Sequence, residues 1–210
     1  MGVKQNLAVS MGRRDELPNI ELAKAIAKAE NKEAVSELVL LLSDKDKNVQ
    51  SDAIKTLYEA AELKPALLVP HFDKFLELLD SKNTRLIWGA MTVIEAITGH
   101  IPTSVFENLS KIVGAADKGS VIARDHVVGT LVKLASVKDY VIESKSLLLE
   151  QLLSCPVNQL PMYAEMILPI ANSSSKTSLS KVLSGRLSDM DKESKRHRIE
   201  KVIKKLNAIK

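Results

Sequence analysis

The sequence predicts an all-α protein, an α-solenoid of antiparallel helix pairs, and three observations carry that prediction. Apolar residues recur at three- and four-residue steps along most of the chain after residue 19, the period of a helix with one buried face. The polar joints between these segments return at a near-constant interval, the mark of stacked supersecondary units. The composition is 45% apolar but only 3% aromatic, and Leu, Ile, Val and Ala suit close helix packing better than a sandwich or barrel built on aromatic strands. No convincing run of strict apolar/polar alternation argues for a strand.

Taken in order, residues 1–18 show no sustained period and carry Gly12, Arg13, Arg14 and Pro18, so they read as a loose N-terminal arm. Residues 19–210 read as a single repeat domain of about eleven helices. Val49, Ala53, Leu57 and Ala60 form the apolar stripe of one helix, and Phe72, Phe75, Leu76 and Leu79 that of the next. Asp44, Asp80, Asp117 and Ser154 mark joints 36, 37 and 37 residues apart. The pairs Leu41-Leu42, Leu78-Leu79 and Leu152-Leu153 are separated by 37 residues and then by twice 37. Inside the first helix of each unit, Ala53, Gly89, Val127 and Tyr163 are equivalent, followed four residues on by Leu57, Val93, Leu131 and Ile167. The first two are small, as closely crossing helices require. Asn48, Asn83 or Thr84, and Ser120 stand where helix caps are needed. Pro65, Pro70, Gly99, Pro102 and Pro156 interrupt the pattern where a helix must end or begin. The stripe Ile199, Val202, Ile203, Leu206 and Ile209 places a capping helix at about 194–210. In such a stack Leu57, Leu76, Leu79 and Val93 are expected in the core.

With DKDKNVQSDAIKTL leading into VPHFDKFLELL, the segment from Asp44 to Leu79 resembles a HEAT repeat, and the likeness extends less exactly from about Asn19 to Lys210. The arginine that usually follows the leading valine is Gln50 here, with Arg85 and Arg124 near the equivalent place in the next two units. The subtype, HEAT or armadillo, therefore stays open. The resemblance implies a curved right-handed solenoid whose second helices line a concave surface, and a role in protein or nucleic-acid binding.

Several classes of chemistry lack their residues. One cysteine, Cys155, excludes an internal disulfide framework and a multi-Cys zinc site. The first twenty residues lack the apolar run of a signal peptide, so a cytoplasmic location is expected. No stretch reaches the roughly 18 uncharged apolar residues needed to span a bilayer. His71, His100, His126 and His197 are scattered, with no second histidine four residues away and no cysteine near, so no helix face offers paired metal ligands. Asp73 and His71 read as a solvated helix end, with pairing across a turn as the alternative. GAADKGS at 114–120 nearly matches a phosphate-cradling loop, but Lys118 precedes the second glycine and no strand leads into it, so it reads as an inter-helix joint. No serine sits in a G-x-S-x-G elbow, and Cys155 has no evident base beside it. The serine-rich run 172–180 reads as a loop entering a helix. No cofactor is called for, and the chain is expected not to be an enzyme.

A binding scaffold is left as the leading expectation, with Asp73, Glu77, Asn108, Lys111 and Lys145 presented to a protein partner by the inner helices. Trp88 lies nearly opposite its own helix's apolar stripe and reads either as packed between repeats or as an exposed anchor for the partner. The alternative is a nucleic-acid-binding module working through the C-terminal helix. Residues 1–172 hold 19 Lys+Arg and 22 Asp+Glu, whereas residues 173–210 hold 11 and four. Positive charge is thus concentrated at one end, with Lys201, Lys204 and Lys205 pointing away from the capping stripe as candidate anion ligands. A helical-repeat DNA glycosylase, a similar scaffold with chemistry, is disfavoured. It needs stacking aromatics and a basic groove, whereas the chain has one Trp, three Phe and three Tyr.

Overall fold

The computed structural model describes residues 2–117 and 119–210, and among them it holds twelve α-helices, six short 3-10 segments and no strand. The helices are α1 (Leu17–Ala29), α2 (Lys32–Leu41), α3 (Lys47–Leu63), α4 (Phe72–Leu78), α5 (Thr84–Ile97), α6 (Pro102–Glu107), α7 (Leu109–Asp117), α8 (Val121–Leu134), α9 (Val141–Ser154), α10 (Leu160–Ile167), α11 (Lys176–Gly185) and α12 (Glu193–Asn207). The four expected joints fall where one pair gives way to the next: Asp44 and Asp80 in the loops before α3 and α5, and Asp117 and Ser154 as the last residues of α7 and α9. The chain groups into two compact units, one running to Val127 and one from Val128.

Local chemistry explains the element ends. Asn31 caps α2 by accepting from Ala34 N–H at 2.9 Å, and Asn83 caps α5 by accepting from Arg85 N–H at 3.1 Å. Ser120 Oγ lies 3.4 Å from the Ala123 amide in the first turn of α8. The cap of α3 is not Asn48. Asp46 holds that place, its carboxylate accepting from the Asn48 amide at 2.8 Å. The count exceeds eleven because the second helix of the third pair is broken. Asn108 donates its side-chain amide to Ser104 O at 2.9 Å, and the chain bends there between α6 and α7.

In the first unit the first helices form a ladder, α1 on α3 and α3 on α5, with α2 packed on α3 and α4 on α5. Ala53, Leu57, Ala90, Val93 and Ile94 are fully enclosed in that ladder. Leu76 and Leu79 are buried as expected. Helices α3 and α5 cross closely at Gly89, where an added Cβ would collide with the Ile54 side chain. Thr56, Thr92 and Thr130 repeat along the first helices of the chain at steps of 36 and 38 residues, and all three are buried. Thr56 and Thr92 return their hydroxyls to Asp52 O and Trp88 O, both at 2.9 Å, so a polar side chain fits an apolar seam.

The opening residues are folded onto this ladder, contrary to the loose arm expected from sequence. Val3–Asn6 and Val9–Met11 are 3-10 turns packed on α2 and α3, and Leu7 and Ala8 are buried. Ala8 N–H donates to Asn19 Oδ1 at 3.0 Å, Val9 N–H to Asp52 Oδ2 at 2.7 Å, and Lys4 Nζ to Asp44 at 2.6 Å. Gly12 turns the segment with φ 68°, a left-handed conformation that glycine adopts without a Cβ penalty.

In the second unit α9 packs on α10 and α11, and both α10 and α11 pack on α12. Thus α12 meets the preceding pair as α5 meets α3 and α4, with Ile199, Val202 and Leu206 turned inward. Tyr163, Leu148, Leu152 and Leu160 complete this core.

Two substitutions test the ladder by urea unfolding. Leu57→Ala should lower stability by about 2–5 kcal/mol through the cavity it leaves. Gly89→Ala, ordinarily helix-stabilising, should instead cost about 1–3 kcal/mol by overpacking against Ile54. An unchanged midpoint for Gly89→Ala would refute the close crossing.

Candidate binding surfaces

On the second-helix side of the first unit, Asp73 and Glu77 stand exposed one turn apart on α4, with Glu77 paired to Lys74 at 3.0 Å. Exposed Lys111 on α7 reaches Asp80 at 2.8 Å, so one expected contact residue is tied to a joint marker. The pair lies in a groove of about 440 Å³ that also takes in Ser81, Ile87, Ser110 and Gly114. Asn108 is partly buried at the α6–α7 bend, with its amide committed to the backbone. His71 and Asp73 form no ion pair, and burial lowers the pKa of His71 below the ordinary histidine value.

Trp88 belongs to the other layer, on α5. It is partly buried, with its ring 5.8 Å from that of Tyr58 on α3 and tilted by 39°. Beside them runs a charged chain that sequence reading missed. Lys55 lies between Glu59 at 2.7 Å and Glu16 at 2.9 Å, with its ammonium 4.8 Å from the Tyr58 ring centre. Glu16 also accepts from Arg85 at 2.5 Å, tying the opening segment to α3 and α5 together. Burial disfavours the charge on Lys55, but Glu59, Tyr58 and Glu16 outweigh it and hold its pKa above that of an ordinary lysine. One helix further on, His126 places Nδ1 2.7 Å from the Glu95 carboxylate and Nε2 2.9 Å from the Thr92 hydroxyl. A carboxylate only accepts, so Nδ1 carries a proton. His126 therefore fastens α8 to α5. Nothing in the sequence pattern marked this contact, since its partners lie 34 and 31 residues away.

The second unit offers two surfaces. An open groove of about 320 Å³ lies among α9, α10 and α11, with Lys145 on its wall beside Ile142, Leu149, Ile167, Ile170 and Leu179. Lys201, Lys204 and Lys205 are exposed on α12, and among the described residues none of the three comes within salt-bridge distance of a carboxylate. Arg198 on the same helix is held by Glu165 of α10 through two bonds, at 2.8 and 2.6 Å. That bidentate contact keeps the Glu165 carboxyl below the ordinary glutamate pKa.

Cys155 is buried, and the guanidinium of Arg186 sits on it. Nη1 donates to Leu152 O at 2.9 Å, to Cys155 O at 3.0 Å, and lies 3.4 Å from the thiol sulfur. Arg186 thus satisfies carbonyls that the end of α9 leaves open. No group of three or more His, Cys, Asp or Glu side chains able to hold a metal ion occurs among the described residues. Among them too, no helix is long and apolar enough to cross a membrane. The near-phosphate loop centres on Lys118, which lies outside the described residues.

No family model matches the chain, and no curated protein matches it. Solved structures do. A designed armadillo repeat protein in complex with the peptide (KR)4 is 20% identical, over 89% of this chain and 86% of its own, with a TM-score of 0.66. A computationally designed armadillo repeat protein for modular peptide recognition is 20% identical over 88% and 86%, with a TM-score of 0.64. An archaeal HEAT-like repeats protein from Thermococcus onnurineus NA1 is 15% identical over 93% and 98%, with a TM-score of 0.50. The chain has a HEAT/armadillo-like all-α repeat fold.

Two measurements check these surfaces. A double-mutant cycle of Glu165→Gln and Arg198→Met should give a coupling of about 0.2–1 kcal/mol at neutral pH, the scale of a solvent-exposed pair. Because the folded-state pKa of Glu165 is lowered, this coupling is complete above the unfolded value of about 4.3 and is lost as pH falls through the lower folded value. Coupling that survives full protonation would make the contact one of packing. As the chain's one tryptophan, Trp88 should emit to the blue of free indole and resist iodide quenching in part. Emission like that of free indole would leave it as an exposed anchor.

Proposed function

We propose that this chain is a non-catalytic binding scaffold whose helix-pair surfaces hold a polypeptide partner. The observation that carries the reading is the groove flanked by the Asp80–Lys111 pair, with Asp73 and Glu77 exposed on α4 beside the buried Phe75, Leu76 and Leu79. Exposed charged groups around a groove suit reversible recognition of a peptide. Two of the solved structures of similar fold are described as binding, or designed to recognise, peptides. In this reading Asp73, Glu77, Asn108, Lys111 and Lys145 contact the partner, and Trp88 adds a second contact on the first-helix side. A reducing, cytoplasmic setting suits a chain whose one cysteine is buried and forms no disulfide among the described residues.

Nucleic-acid binding through α12 is the second reading, favoured by three exposed lysines that make no ion pair among the described residues, on a unit holding 14 Lys+Arg against eight Asp+Glu.

One comparison decides between them. Peptides selected from a random display library against the purified chain should lose affinity about tenfold or more in an Asp73→Ala, Glu77→Ala, Lys111→Ala triple variant and be unaffected by Lys201→Ala, Lys204→Ala, Lys205→Ala. Duplex DNA or RNA binding whose salt slope falls by about one unit per lysine removed from α12 would establish the second reading instead. A library that yields no binder sinks the first.

A further inference from the structure

We propose that the groove among α9, α10 and α11 is a docking site for a short extended peptide segment that sets an aliphatic side chain beside a carboxylate. The inference rests on the scaffold reading and names a second site and a partner chemistry for it.

Helix α9 carries two faces. Ser144, Leu148 and Leu152 are buried and hold it in the core. Ile142, Lys145, Ser146 and Leu149, with three- and four-residue steps from 142 to 145 and 146 and from these to 149, line the groove together with Leu148. The core does not need this second stripe, and Ile142 is 85% exposed, more than any other large apolar side chain described. Across the groove Ile167, Ile170 and Leu179 supply the facing wall. At about 320 Å³ the space is at the low end of ligand pockets, which run from about 300 to 1,000 Å³.

Charge and hydrogen bonding select the occupant. No carboxylate lines the groove, and among the described residues Lys145 on its wall makes no ion pair. The surrounding unit carries a net charge of plus six by the same residue count. An acidic segment is therefore favoured and a basic one repelled. The hydroxyls of Ser174 and Ser178, on the rim, donate within their own loop and helix start, to Asn172 Oδ1 at 2.8 Å and Ser175 O at 2.9 Å. Each keeps acceptor lone pairs, which a peptide backbone N–H can satisfy and a lipid chain cannot. No aromatic side chain lines the groove, so nothing there stacks a nucleic-acid base.

The test uses the full chain and fluorescein-labelled peptides with a Leu-Glu-Leu core in a Gly/Ser host, read by fluorescence anisotropy. Control cores replace Glu with Lys, or both Leu with Ser. Ile142→Ser and Lys145→Glu alter groove residues that the core does not hold, and unchanged thermal melting confirms that each folds. The Leu-Glu-Leu peptide should bind, and each variant should weaken it about tenfold or more. Lys145→Glu should in turn bind the Leu-Lys-Leu peptide better than the wild type does. Equal binding of acidic and basic cores to the wild type would overturn the proposal. So would binding that neither variant disturbs, the absence of binding by all cores, or dodecanoate binding with this variant pattern where peptides fail. Library peptides that respond to the α4–α7 variant but not to Ile142→Ser would leave the scaffold reading standing while this groove is rejected.

Discussion

The crossing of the first helices is the constraint on which the rest of the first unit depends. Gly89 leaves room for the Ile54 side chain, and Ala53, Ala90 and the buried threonines keep the seam narrow. A narrow seam brings α1, α3 and α5 into direct contact, so the second helices pack on the flanks of the ladder rather than between its members. The grooves at their edges follow from that arrangement. Polar atoms enter the seam only where the backbone takes them up, as Thr56 and Thr92 show with their bonds to the preceding turn.

Electrostatics then acts along the same ladder. Lys55 is nearly enclosed, yet its charge is held by carboxylates from its own helix and from the opening segment. His126, Glu95 and Thr92 do for α8 and α5 what Glu16, Lys55 and Arg85 do for α3 and α5. Each inter-helix step in this unit thus combines an apolar seam with a polar clasp at its edge. The clasp fixes register, and the seam supplies most of the stabilisation.

What was legible in the sequence was what is local. Joints at Asp44, Asp80, Asp117 and Ser154 could be read because turn chemistry is written within a few residues, and the apolar stripes because a helix repeats every turn. Asp73 and Glu77 were placed outward by the same periodicity. The cap of α3 slipped by two residues because Asp46 and Asn48 are equally capable acceptors. The opening segment was misread for another reason. Its holding contacts, Lys4 to Asp44, Val9 to Asp52 and Glu16 to Arg85, join residues 40, 43 and 69 positions apart. No pattern along the chain announces a partner at that distance. The ring of Tyr58 beside Trp88 and the two partners of His126 were hidden in the same way, since each comes from a neighbouring repeat.

That opening segment has a consequence for how the first unit comes apart. Stacked repeats touch only their neighbours, so they tend to lose structure one at a time from an end, with weak cooperativity. Residues 2–16 cut across this arrangement, because they bond to the loop before α3, to α3 itself and to α5. The first pair cannot fray without releasing contacts that also brace the second and third. The segment therefore acts as a lashing that makes three pairs open as one block, and slow hydrogen exchange should extend over the whole block rather than fade toward its end.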